Sequence, residues 1–99
     1  MAVKARPWTA IDKEIARLLT ENKESREWSY RTIEEKSGIN YARVWDISNA
    51  VHGTPTVVEF LAICETFDLD SAATLRQVIA SAAANTDENR NLEEETPRD

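Results

Sequence analysis

The chain has few of the residues that build covalent or metal-stapled folds. Its 99 residues include one cysteine, one histidine, two glycines and three prolines. One cysteine forms no disulfide within the chain, which indicates a reduced, intracellular protein or one indifferent to redox state. One histidine and one cysteine are too few for a tetrahedral zinc site, and no glycine-rich phosphate loop is present. We therefore expect no cofactor, no metal and no enzymatic activity.

Long apolar runs are also missing. None approaches the roughly 18 residues of a membrane span, and the start "MAVKARPW" lacks the apolar core of a signal peptide. The expected location is therefore cytoplasmic, without a membrane. The scarcity of glycine and proline favours helices joined by short loops over a β-sandwich.

The charge is acidic overall but unevenly distributed. The net charge is −6, yet residues 1–43 hold nine Lys or Arg against seven Asp or Glu. Residues 87–99 hold six acids against two arginines. The front half is therefore weakly basic, and the acidic charge lies in the rest of the chain, with a net of −4 over its last 13 residues. A strong basic footprint for nucleic acid is not present.

Helix signals recur along the chain at short intervals. Thr9 with Asp12 and Thr56 with Glu59 have the spacing of capping boxes. Ser29 and Asn40 are candidate N-caps, and Asp70 or Ser71 precedes the last helix. We predict helices over residues 9–23, 30–37, 41–49, 57–67 and 72–84. The apolar residues predicted to face inward in the first and the last two of these helices are Ile11, Ile15, Leu18, Leu19, Val57, Phe60, Leu61, Cys64, Phe67, Leu75, Val78, Ile79 and Ala82.

These elements predict an all-α protein, a compact bundle of five helices. Residues 1–8 are expected to form a flexible arm, residues 9–84 the domain, and residues 85–99 a disordered acidic tail without apolar periodicity.

The segment "SYRTIEEKSGINYARVWDIS" has the pattern of a helix, a turn at Gly38 and a second helix. If Tyr30 begins a motif of about twenty residues, to Asn49, four of the five positions expected to be buried are aliphatic. Those five are Ile33, Ser37, Ile39, Val44 and Ile47.

Together with "TVVEFLAICETFDLD", this segment resembles the Xre-type helix-turn-helix domain of Cro-like and phage-repressor-like transcription factors. The resemblance covers roughly residues 11–70 and is nearest to small actinobacterial and phage repressors. The sequence departs from the family pattern at Glu34, where a small residue is usual. It also departs at Ala50, which replaces a glycine common after the recognition helix, and in a loop about one residue longer before Pro55.

The resemblance implies a sequence-specific DNA-binding regulator, a repressor acting as a homodimer on a two-fold operator in double-stranded DNA. Base contacts are expected from the start of the third helix, and Arg43 has the side chain best suited to guanine. The expected base-contacting residues are Asn40, Tyr41, Ala42, Arg43 and Asp46. Trp45 lies beside this face, against the sugar-phosphate backbone or the first helix, and the alternative for Tyr41 and Trp45 is that they fill the core or a dimer seam. The fifth helix, with Leu75 and Ile79, is the candidate dimer surface.

Phosphate contacts are expected around the start of the second helix, where free backbone N–H groups accept anions. The candidates are Ser29, Tyr30, Arg31 and Lys36, with Lys4 and Arg6 as a flexible arm. Each has a plainer alternative: Arg31 and Lys36 in surface ion pairs, Lys4 and Arg6 in a frayed terminus. Arg43 has one as well, as a solvated charge.

A second function stays open on the sequence alone. Glu34, Asp46 and the acidic second half are also typical of a protein-interaction module on the same fold, which binds a regulatory protein partner and meets DNA little. His52 is interpreted as a loop residue and Cys64 as a buried, inert thiol.

Overall fold

The computed structural model describes residues 6–95, with side chains described for residues 6–85, and contains five α-helices and no strand within that range. They are α1 (Ala10–Ser25), α2 (Tyr30–Ser37), α3 (Tyr41–Ser48), α4 (Val57–Thr66) and α5 (Ser71–Glu95). The predicted all-α class is confirmed. Across these residues no helix combines the length and apolar character needed to cross a bilayer.

The helix starts follow the capping signals. The Thr9 and Thr56 capping boxes are both formed, and the side chains of Ser29 and Asn40 accept hydrogen bonds from Thr32 N–H and Ala42 N–H. Asp70 Oδ2 accepts from Ala73 N–H at 2.8 Å and so caps α5. These predicted caps are confirmed. They could be predicted because each depends on contacts between residues two or three positions apart.

A residue in the left-handed conformation ends or follows each of the first four helices, Glu27 after α1 having a φ of 56°. Gly38 ends α2 with a φ of 81°, a conformation that glycine adopts without steric cost. Ala50, which stands where the resembling family commonly has glycine, takes a φ of 55°. Asp68 after α4 has a φ of 56°. The chain thus keeps the backbone geometry of a glycine turn after α3 with an alanine.

Two adjoining clusters form the core. α1 packs on α3 and α5, α2 on α3 and α4, and α4 on α5. The central cluster is Leu19, Ile33, Val44, Ile47, Ile63 and Phe67. The second is Ile15, Phe60, Cys64 and Val78. Trp28 covers one end of the central cluster, with its ring stacked on Phe67 at a centroid distance of 5.6 Å. Among the five motif positions, Ile33, Val44 and Ile47 are buried, while Ser37 and Ile39 are partly buried.

Several apolar residues predicted to face inward lie on the surface instead. Val57 is 75% exposed and Leu61 46%. α4 buries the stripe of residues 60, 63, 64 and 67, which leaves Leu61 at its margin and Val57 in the first turn. Ile11, Leu75 and Ile79 are likewise 40–47% exposed. Ile11, Val57, Leu61 and Leu75 line one groove and so give the molecule an apolar face across α1, α4 and α5, and Ile79 follows Leu75 by one turn of α5.

The two ends of the chain differ from the sequence-based expectation. Arg6 and Trp8 are held by side-chain bonds, so the expected flexible arm does not extend to residues 6–8. α5 continues to Glu95, beyond residue 85 where a disordered tail was expected. A helix already packed on α1 propagates at low cost, because each further residue adds a hydrogen bond to an existing turn. Residues 1–5 and 96–99 lie outside the described residues.

Candidate nucleic-acid interface

The outward side of α3 is mostly aromatic and methyl surface. Tyr41 is 40% exposed, Trp45 is 45% exposed, and Ala42 is exposed between them. Val44 and Ile47 on the opposite side are at most 1% exposed and anchor the helix in the core. The burial of those two aliphatic residues fixes which side of α3 faces water, because a helix repeats every 3.6 residues.

Arg43 does not extend into solvent from this side. Its Nε and Nη2 donate to the two carboxylate oxygens of Glu59 at 2.7 and 2.8 Å. Its Nη1 donates to the Gly53 carbonyl at 3.0 Å, and Nη2 donates also to the Thr54 carbonyl at 3.0 Å. Four donor contacts of a group with five N–H bonds are thus internal. Arg43 ties α3 to the following loop and to the start of α4.

The charges of this pair stabilise each other. The hydrogen bond from Arg43 lowers the pKa of Glu59, against the opposing effect of its burial, and the Thr56 backbone N–H lowers it further. The hydrogen bond to Glu59 is also the main reason that the pKa of Arg43 is raised. Glu59 therefore serves both as the partner of Arg43 and as the capping-box carboxylate of α4.

The remaining polar residues of α3 also have partners within the protein. Asn40 Oδ1 accepts from Ala42 N–H at 2.9 Å, so Asn40 caps the helix. Asp46 Oδ1 lies 2.9 Å from Nδ1 of His52, in the loop that Arg43 holds. His52 is therefore more than an isolated loop residue, because its ring and its carbonyl, which accepts from Trp8 Nε1, both hold that loop.

Glu34 occupies the motif position at which the family that the chain resembles usually has a small residue. Its Oε2 accepts from Tyr41 N–H at 3.1 Å. The carboxylate thus interacts with an N–H group in the first turn of α3, where negative charge is favourable because of the helix dipole. The departure from the family pattern is accommodated at the surface, since Glu34 is only partly buried.

Three cations of α1 and α2 stack on aromatic rings, and one of these contacts reaches α3. Arg31 Cζ lies 4.2 Å from the Tyr41 ring centroid. Lys36 Nζ lies 4.9 Å from the ring of Trp28, and Lys23 Nζ lies 4.3 Å from the ring of Tyr30. Each distance is within the range of a cation–π contact.

Arg26 adds a fourth cation at the end of α1. Its guanidinium carbon lies 5.0 Å from the Phe67 ring, and its Nη2 donates to the Phe67 carbonyl at 3.2 Å. We call Lys23, Arg26, Arg31 and Lys36 the cationic surface. None of the four forms a salt bridge within the part of the chain whose side chains are described.

The structure groups some predicted contact residues and separates others. Ser29, Tyr30, Arg31 and Lys36 lie on α2 or at its cap, and Arg31 touches the ring of Tyr41. Arg6 lies elsewhere: it donates to Asp12 at 2.9 Å and to Thr54 Oγ1 at 2.9 Å. Lys4 lies outside the described residues.

Sequence reasoning missed Lys23 and Arg26. Their signal is the segment "KESREWSY", in which two basic residues are followed closely by two aromatic ones.

The described residues include no candidate metal site. Among the described residues, no three His, Cys, Asp or Glu side chains gather as a metal ion requires. Cys64 is buried at 1% exposure, and burial raises the pKa of its thiol.

Comparisons of the chain with protein-family models, with curated proteins and with solved structures find no match.

Proposed function

We propose that the protein is a sequence-specific DNA-binding transcriptional regulator, a repressor in which α2 and α3 form a helix-turn-helix. The observation that carries this proposal is the contact between the cationic surface and α3 through Arg31 and Tyr41. A helix that presents aromatic and methyl groups for base edges, flanked by cations for phosphates, has the two components of a DNA interface.

The turn between the two helices supports the same proposal. α2 and α3 are eight residues each, and Gly38 makes the sharp left-handed exit from α2. Ile33, Val44 and Ile47 are buried beneath the pair. This burial leaves the outer side of α3 open, as insertion into a major groove requires.

The absence of carboxylate partners on the cationic surface, among the described side chains, supports phosphate binding. A Lys or Arg already paired with a carboxylate gains little from a phosphate, whereas these four have no such partner among the described side chains. Binding of each to a phosphate releases condensed counterions, which strengthens the complex at low salt. Their stacking on rings also holds the cations in defined positions.

The proposal includes homodimerisation, with the apolar face across α1, α4 and α5 as the surface through which the two copies meet. Ile11, Val57, Leu61 and Leu75 line an open groove of about 290 Å³ into which no charged side chain of the described residues projects. Each chain carries a net charge of −6. Two copies therefore meet with least repulsion on an uncharged face, and an apolar patch of this kind is typical of an interaction site.

The dimer surface is tested with one lysine on each side of α5. Ile79→Lys places a charge on the apolar face, whereas Gln77→Lys places the same charge on the opposite side of the helix. Sedimentation equilibrium should show a dimer for the wild type and Gln77→Lys and a monomer for Ile79→Lys. A monomeric wild type at all concentrations, or a dimeric Ile79→Lys, would contradict this surface.

A second candidate is a protein-interaction module that binds a regulatory protein. The observation that favours it is the carboxylate of Glu34 at the first turn of α3, together with the internal use of Arg43. A negative group near the reading side repels phosphate and attracts a basic partner.

The deciding experiment is a selection from random duplex DNA at about 50 mM salt, where electrostatic binding is strong. We expect an inverted repeat to be enriched. Lys36→Ala combined with Arg31→Ala should reduce the slope of log K against log salt by about 2, roughly one unit per phosphate contact. The matched control is Lys13→Ala with Arg76→Ala, which removes two exposed cations from other surfaces and should leave the slope unchanged.

Two results would count against DNA binding. One is a selection that enriches no sequence above background. The other is a control pair that reduces the slope as much as the α2 pair does, because the interaction would then follow net charge alone. In either case the interaction module becomes the better description.

A further inference from the structure

The side chains of α3 that are most exposed to solvent are not the ones best suited to hydrogen bonds with bases. Tyr41 and Trp45 are spaced by one helical turn and are 40% and 45% exposed, with Ala42 exposed beside them. Apart from the Tyr41 hydroxyl and the Trp45 indole N–H, these side chains consist of ring carbons and a methyl group. A surface of this composition fits apolar groups in a groove better than base donors or acceptors.

Three side chains suited to polar contacts with bases have partners within the protein. Arg43 would need to leave Glu59 and two loop carbonyls before it could pair with guanine. Asp46 lies against the His52 ring, and the amide oxygen of Asn40 caps the helix. For Arg43, bidentate pairing with guanine would break existing internal bonds, so the net gain from that contact is small.

The major groove offers one kind of apolar group, the methyl on C5 of thymine. A 5-methylcytosine presents the same methyl at the same ring position. We infer that Tyr41, Ala42 and Trp45 read C5-methyl groups, so that the preferred half-site is defined by pyrimidine methyls rather than by guanine contacts of Arg43. This inference rests on the proposed DNA-binding function and assigns the chemical group that the reading side recognises.

Replacement of thymine by deoxyuridine tests this inference directly, since it removes the methyl and leaves every hydrogen-bonding group in place. In the enriched duplex, each thymine is replaced in turn and the dissociation constant is measured. Burial of one methyl-sized group corresponds to a change of about fourfold, so each read position should weaken binding by roughly that factor. Where cytosine stands in place of a read thymine, 5-methylcytosine should bind more tightly than cytosine.

Variants of the protein link the effect to α3. Trp45→Ala and Tyr41→Ala should bind the thymine and deoxyuridine duplexes with nearly equal affinity at the position each side chain reads. Lys36→Ala is the matched control: it should weaken both duplexes alike and leave their ratio unchanged. Since both aromatic side chains are 40% or more exposed, circular dichroism should show that these variants remain folded.

The outcomes separate this inference from the proposed function. If no duplex is enriched, DNA binding itself fails and the inference fails with it. If a duplex is enriched but deoxyuridine changes affinity by less than twofold at every position, DNA binding stands and methyl readout is wrong. Loss of one guanine preference in Arg43→Ala would assign the readout to Arg43 and overturn the inference in the same way.

Discussion

Arg43→Ala provides the most informative test of how α3 is held in place. The substitution removes both bonds to the Glu59 carboxylate and the bonds to the carbonyls of Gly53 and Thr54. It leaves Glu59, whose side chain is 19% exposed, without its cationic partner. We therefore expect Arg43→Ala to destabilise the fold although Arg43 lies on the same helix as the exposed Tyr41 and Trp45.

The magnitude lies between two limits. Removal of one partner from a fully buried ion pair costs about 3–5 kcal/mol, whereas exposed pairs contribute about 0.2–1 kcal/mol. The Arg43 side chain is 24% exposed, so water replaces part of the lost interaction. We expect a loss of about 2 kcal/mol in the free energy of unfolding. For a domain of this size that corresponds to a fall in Tm of about 10 °C.

The same pair makes stability depend on pH. The pKa of Glu59 in the folded protein is lowered from 4.5, chiefly by Arg43. A lowered pKa contributes stability that is fully present above about pH 4.5 and is lost as the pH falls through the folded-state value. Because Arg43→Ala removes the main cause of that lowering, the variant should lose less stability than the wild type over this acid range.

Urea unfolding followed by far-ultraviolet circular dichroism measures both effects, at pH 7 and at several values below 4.5. Arg31→Ala is the matched control, since it removes an exposed arginine without a carboxylate partner and should cost less than about 0.5 kcal/mol. A double-mutant cycle with Glu59→Gln isolates the pair. If Arg43→Ala is as stable as Arg31→Ala, or if its acid dependence equals that of the wild type, Arg43 does not hold α3 and our reasoning is wrong.

Three further predictions concern single positions. Gly38→Ala should cost about 1 kcal/mol in unfolding free energy because φ is 81° there, whereas Gly53→Ala, which also meets no atom within 4 Å, should be nearly neutral. Burial raises the pKa of Asp12, but hydrogen bonds from Thr9 and Arg6 outweigh it and the net pKa is lowered from 3.8. Asp12→Asn should therefore flatten the loss of stability below about pH 4 in acid titrations. Cys64 should react with a thiol reagent only as fast as the fold opens, and rapid labelling of the native protein would contradict its burial.

Much of the local architecture could be predicted because its determinants are close in sequence. The four caps at Thr9, Ser29, Asn40 and Thr56 are satisfied by N–H groups two or three residues later. The end of α2 follows from Gly38, which takes the left-handed conformation at no steric cost. The burial of Val44 and Ile47 could likewise be predicted, because helical periodicity is a property of the local sequence.

The surface of the candidate site could be predicted only in part. Tyr41 and Ala42 are exposed on α3 as expected, since their positions follow from the buried side of the same helix. Lys23 and Arg26 were missed because the turn of the chain between α1 and α2 brings them beside aromatic rings of later residues. The exposure of Leu61 was missed because helical periodicity does not tell how far a neighbouring helix extends over it.

The sequence by itself determined where the helices begin and which side of α3 is buried, since capping and periodicity act within a few residues. The tertiary structure decided the use of Arg43. Its partner Glu59 lies 16 residues away, and only the packing of α4 beside the loop after α3 brings the two charges together. Arg43, which the sequence predicted to contact DNA, therefore makes internal hydrogen bonds instead. The Glu59 carboxylate, which the fold places beside it, competes for the same N–H donors.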